Sequence, residues 1–306
     1  MNSDVRAGSA SAPRTFRGAR LALGTAQLGQ RYGITNRTGP PAEAEVESML
    51  AVLRETGSDT LDTAISYGDS EVVLGRARID GFRVVTKLPP LPVETADVAG
   101  WVRRHVRTSL DRLRVANLYG LLLHRPADVS GPHAGALLAA LATLKAEGVV
   151  TKVGASVYAP EELAELEGAM KLDLVQAPYN VFDRRFESTE TFRRLHAAGT
   201  EVHVRSVFLQ GLLLLDEDEL PETFRKWQPL WQRWCGWVRQ QGTDQLAAAL
   251  GFALANPTVD RIVVGAESAA QLRSIVASTR LDLQQVPVEL ATGDLNLINP
   301  TNWTAS

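Results

Sequence analysis

Residues 60–87 read TLDTAISYGDSEVVLGRARIDGFRVVTK. Two short apolar runs, at 60–62 and 84–86, flank a stretch with helical spacing at 70–77. The first run ends on Asp62 with Tyr67 just beyond it, and the second ends on Lys87. One unit further on, LYGLLLH at 118–124 ends on His124, after the helical pattern WVRRHVRTSLDRLR at 101–114. Strand, helix, strand at this rhythm predicts parallel βα units. In a closed parallel barrel the C-terminal strand ends meet at one mouth. An acid, a phenol, an amine and an imidazole would then converge there.

The rhythm extends both ways. LALG at 21–24 reads as a first strand, followed by a helix at 42–57 with Val46, Leu50 and Leu53 on one face. After His124 come a helix at 133–148, KVGAS, a helix at 159–170, LDLVQA, a helix at 188–199, EVHVRS, a helix at 243–256, DRIVVGA and a helix at 268–278. Eight strand–helix units over roughly 260 residues predict a single-domain (β/α)8 TIM barrel at 18–282. A doubly wound open sheet is the competing architecture, but GTAQLG after the first strand is not its G-x-G-x-x-G turn. Residues 1–17, small, polar and basic, read as a disordered tail without a signal-peptide core. Residues 283–306 form a polar tail that either covers the active site or ends loosely.

The chain has 306 residues, 22% of them charged, and a formal net charge of -3, so no nucleic-acid or acidic-membrane footprint is expected. No run is long and apolar enough to suggest a membrane span. The single cysteine, Cys235, excludes an intrachain disulfide and fits a cytoplasmic location. The histidines show no zinc-like spacing. Nothing in the sequence specifies an oligomeric state. Residues 212–242 break the rhythm and hold Trp227, Trp231, Trp234 and Trp237 at helical spacing. Two readings stand: one face of an extra helix packed on the barrel, or an aromatic wall over the substrate.

At one mouth the four ionisable groups make a coherent device. An ammonium beside a phenol stabilises the phenolate, and a carboxylate keeps the ammonium charged and fixed. An imidazole can orient a carbonyl oxygen. The set is a general acid aimed at a developing alkoxide. No side chain delivers hydride, so a nicotinamide cofactor is implied.

The segment DTAISYGDSEVVLG closely resembles the aldo-keto reductase signature D-T-A-x-x-Y-G-x-S-E-x-x-L-G, and the resemblance extends over about 21–277. It implies an NAD(P)H-dependent oxidoreductase that reduces an aldehyde or ketone. Tyr67 would be the proton donor, Lys87 with Asp62 its tuning pair, and His124 the group positioning the carbonyl. The resemblance implies cofactor contacts at Gly24, Thr25, Asp62, Ser156 and Gln176, with Arg205 at the position stacking on the nicotinamide. The loop 206–213, SVFLQGLL, would touch the pyrophosphate through Ser206, Val207, Leu209 and Gly211. Gly265, Glu267 and Gln271 would face the adenosine phosphate.

Departures from the pattern bear on the cofactor. Val157 and Val207 replace an asparagine and a proline, and Ser274 and Ile275 replace a late E-N. Gly265 and Gln271 stand where NADPH-specific members carry basic residues, and Glu267 adds a negative charge, with Arg273 the nearby cation. The resemblance puts NADP first and leaves NAD as the alternative. The opening LGTAQLGQRYGITNRTGPP resembles a subgroup linked to sugar or surface-polysaccharide pathways, which implies a sugar-like carbonyl. Reduction of a C=N bond, a sugar dehydrogenase and a redox-silent cofactor-binding barrel remain open alternatives.

Overall fold

The computed structural model describes residues 17–34, 39–280 and 285–303. Eight parallel strands close into a barrel in sequence order: β1 Leu21–Gly24, β2 Thr60–Asp62, β3 Arg83–Leu88, β4 Leu118–Leu123, β5 Val150–Ser156, β6 Leu174–Pro178, β7 Glu201–Arg205 and β8 Arg261–Gly265. All eight predicted strands are present. Register pairs Gly24 with both Asp62 and Gly265, and Ser156 with Gln176. A helix follows each strand as expected. Val46, Leu50 and Leu53 are fully buried on Glu43–Thr56, as are Val102 and Leu113 on Val98–Leu113. That second helix starts three residues before the predicted point, where the Asp97 carboxylate accepts from Gly100 N at 2.8 Å.

Bonds between strands that are not neighbours define the barrel interior. At the N-terminal end Glu201 of β7 accepts from Tyr119 of β4 at 2.6 Å, from His203 at 2.7 Å and from Lys152 of β5. Above this polar plug, Val85, Leu122 and Leu174 form a small apolar waist, separate from the larger core between strands and helices. At the C-terminal end Gln176 of β6 donates to Asp62 of β2 at 2.6 Å. The interior is thus filled in layers, and the ionisable layer is the mouth.

The tryptophan stretch forms the extra helix Gln228–Gln240, preceded by a 3-10 turn ending at Trp227. Trp231 and Trp234 are fully buried; both meet Phe182 edge-on, and Trp234 Nε1 donates to Leu213 O at 3.1 Å. The expected N-terminal tail lies outside the described residues except Arg17, which opens the 3-10 turn Arg17–Arg20. Residues 285–303 of the C-terminal tail strap the extra helix and the segment after β6. Arg184 donates to Pro287 O at 2.8 Å, Thr292 N to Phe182 O at 2.9 Å, and Trp227 Nε1 to Asp294 Oδ2 at 2.9 Å. Among the described residues, no helix is long and apolar enough to cross a membrane.

Candidate active site

Asp62 and Lys87 form a buried ion pair across β2 and β3. Lys87 Nζ donates to both Asp62 carboxylate oxygens at 2.9 Å and to Thr63 O at 2.8 Å, which uses all three ammonium hydrogens. Burial is the largest single influence and pulls the ammonium down; the charges of Asp62 and Tyr67 and the Asp62 hydrogen bond together outweigh it and hold Lys87 above the usual lysine range. Gln176 links this pair to Ser156, whose Oγ donates to Gln176 Oε1 at 3.2 Å.

Tyr67 stands on the turn after β2, with Lys87 Nζ 5.1 Å from its ring centre. His124, just past β4, meets the Tyr67 ring edge-on at 6.0 Å between centroids. Its Nδ1 is 3.3 Å from Ser66 Oγ. Burial, then the positive charges of Lys87 and Arg205, lower the His124 imidazole to about 4. The ring is therefore neutral at neutral pH.

The rest of the signature is scaffolding. Ser70 Oγ donates to Thr25 O and Oγ1 at 2.9 and 2.8 Å, tying the Tyr67 turn to β1. The buried Glu71 Oε1 accepts from Thr86 at 2.8 Å and Ser109 at 2.5 Å. Gly68, at φ 54°, lies so close to Gly29 that an added Cβ would come 2.4 Å from Gly29 O. A side chain at either glycine would dislodge Tyr67.

A cleft runs from this cluster along β1, β7 and β8. Gly24, Thr25, Asp62, Tyr67, Arg205, Ser206, Val207, Gly211, Gly265, Glu267 and Gln271 line it. Ser156, Gln176 and Leu209 do not: all three are buried, the first two beneath Asp62. Gln27, Tyr32, Phe208 and Gln210 also line the cleft. Gln27 lies on the four-residue helix Ala26–Gly29 and Gln210 in the 3-10 segment Leu209–Leu214, both too short for periodicity to carry a signal, and Tyr32 and Phe208 lie between elements. No tryptophan and no described residue of 285–303 lines it, and the burial of Trp231 and Trp234 on Gln228–Gln240 fits the extra-helix reading. The loop after β7 takes left-handed backbone at Ser206, Leu209, Gln210 and Gly211, and strain of this kind clusters at binding sites. Gly265 gives room to the Gln27 amide, which an added Cβ would meet at 2.3 Å.

At the far end of the cleft the helix Ala269–Ala277 has its first amides already engaged. Glu45 Oε1 accepts from Ala269 N at 2.5 Å, and Ser268 Oγ accepts from Gln271 N at 3.1 Å. Glu267 N donates to Gln271 Oε1 at 2.6 Å.

The aldo/keto reductase family model matches residues 20–289. An NADH-specific methylglyoxal reductase of Escherichia coli strain K12 is 24% identical over 326 residues, covering 89% of this chain and 93% of its own. A D-arabinose 1-dehydrogenase of Saccharomyces cerevisiae is 31% identical over 147 residues, 45% of this chain and 42% of its own. Among solved structures, the holo form of an aldo-keto reductase from Bacillus halodurans matches at TM-score 0.67 and 22% identity, covering 87% of this chain and 88% of its own. On the strength of the family match across nearly the whole barrel, together with this closed fold, the chain belongs to the aldo/keto reductase family.

Proposed function

We propose that the protein reduces a small oxygen-rich aldehyde or ketone with NADH, with Tyr67 as the general acid. The observation that carries this reading is the buried Asp62–Lys87 pair beside Tyr67, with a neutral His124 at the edge of the same ring. The bound nicotinamide would supply the hydride. Tyr67 gives its hydroxyl proton to the carbonyl oxygen as the alcohol forms. Lys87, held charged by Asp62, stabilises the phenolate left behind, and its burial strengthens that interaction. Gln176 and Ser156 act through Asp62 by fixing the carboxylate. Neutral His124, with Nδ1 turned to Ser66, keeps Nε2 for the substrate oxygen.

The cleft runs from Tyr67 to Gln271, the course an extended dinucleotide would take. If its reacting ring lies at Tyr67, its adenosine reaches Glu267 and Gln271. Two carboxylates, Glu45 and Glu267, occupy that end, and Glu45 takes a helix N-terminal amide that a phosphate would use. This favours a free ribose hydroxyl over a 2′-phosphate, hence NADH over NADPH. The NADH-specific relative agrees with that choice, and the names of both relatives support a small polyoxygenated substrate.

The test is titration of wild type and Tyr67→Phe with NADH and NADPH, followed by turnover on a panel of small aldehydes and sugars. NADH should bind at least about tenfold more tightly than NADPH, as repulsion between a carboxylate and a phosphate implies. Tyr67→Phe should keep NADH affinity and lose about 10²- to 10⁴-fold in turnover. Wild-type turnover by the variant would remove Tyr67 from its role.

A further inference from the structure

Arg205 ends β7 and lines the cleft together with Asp62 and Tyr67. All its partners are neutral. It donates to Val157 O at 3.1 Å and Ser206 Oγ at 3.4 Å, and its guanidinium carbon lies 4.3 Å from the Tyr158 ring centre. No carboxylate among the described residues pairs with it. Asp62, the acid beside Tyr67, is taken by Lys87 and Gln176, and the cleft's other carboxylate, Glu267, lies past the end of β8. Among the groups around Tyr67 the charges sum simply: Asp62 and Lys87 cancel, His124 is neutral, and Arg205 leaves one net positive charge. Its field reaches both neighbours: after burial and Lys87 it helps lower His124, and it opposes the raising of Lys87 by Asp62.

We infer that Arg205 selects the redox state of the bound cofactor, holding the reduced nicotinamide in preference to the oxidised one. This rests on the NADH reading above. In the reaction a hydride leaves the reduced ring for the carbonyl carbon, and the Tyr67 proton goes to the oxygen. The neutral ring thereby becomes a cation, and the carbonyl an alcohol. A carbonyl within reach of the Tyr67 hydroxyl places that ring in the part of the cleft Arg205 lines. Two positive charges in a half-buried cleft repel, so the oxidised cofactor is destabilised as it forms while the reduced one is untouched. An aromatic face turned to the ring would do the reverse and attract the cation; here the Tyr158 face is already taken by Arg205 itself. The consequence is a site that loads NADH, releases NAD⁺ readily and favours reduction.

Calorimetric titration of the full chain with NADH and with NAD⁺ tests this. Wild type should bind NADH about tenfold or more tightly than NAD⁺. Arg205→Gln should shrink that ratio by about tenfold, chiefly by tightening NAD⁺, and Arg205→Lys should keep it. An unchanged ratio in Arg205→Gln, or equal affinities in wild type, overturns the inference. The wild-type ratio needs no variant, so a misfolded Arg205→Gln does not shield the idea. Binding of neither nucleotide would instead bring down the cofactor reading, and this inference with it.

Discussion

His124 shows how far burial sets a single residue's chemistry. Its imidazole sits at about 4, against 6.5 for a free histidine, because burial and then the charges of Lys87 and Arg205 penalise the cation. As the pH falls, the unfolded chain takes up this proton first. The stability His124 contributes is complete above about 6.5 and is lost as the pH drops to about 4. Thermal melts across that window should therefore show a shallower loss of Tm for His124→Gln than for wild type. Likewise, the pH profile of carbonyl reduction should have no inflection from His124 between 6 and 8. Residue types at strand ends made Asp62, Tyr67, Lys87 and His124 legible in the sequence. The bond from Gln176 to Asp62 was not, because it crosses the barrel between residues 114 positions apart.

At the scale of elements, the Tyr67 turn is set by two glycines packed backbone to backbone. A Cβ on Gly29 would lie 1.9 Å from Tyr67 O and 2.5 Å from Ser70 N, and neither atom can give way without moving the turn. Gly29→Ala should cost about 1–3 kcal/mol in urea denaturation, the usual range for overpacking. It should lower turnover through displacement of Tyr67 by more than it weakens NADH binding. Equal turnover in the variant would show that the turn is not the device positioning the phenol. Helix existence was readable from apolar spacing, as Val46, Leu50 and Leu53 show. Helix starts were less so: Val98–Leu113 begins at an Asp97 cap whose geometry only the folded chain supplies.

In the molecule as a whole, the extra helix and the C-terminal strap are one buttress outside the reaction cleft. Trp231 and Trp234 fill the space behind Phe182, and Trp227 ties the strap down through Asp294. Trp231→Ala should open a cavity costing about 3–5 kcal/mol, measured as a lower urea midpoint. The NADH dissociation constant should stay near wild type, because no tryptophan lines the cleft. Lost turnover at unchanged NADH affinity in a folded variant would support the aromatic wall over the substrate.

The sequence by itself determined the barrel, its strand order and the four ionisable residues at adjacent strand ends. These rest on local properties, namely apolar period, turn residues and position along the chain. Tertiary structure decided the rest. It buried Asp62 with Lys87, capped the late helix with Glu45 from 224 positions away, turned Trp231 and Trp234 inward and left Arg205 without a counter-ion among the described residues. Pairing, desolvation and cavity filling depend on which distant groups share a space, and no local pattern encodes that.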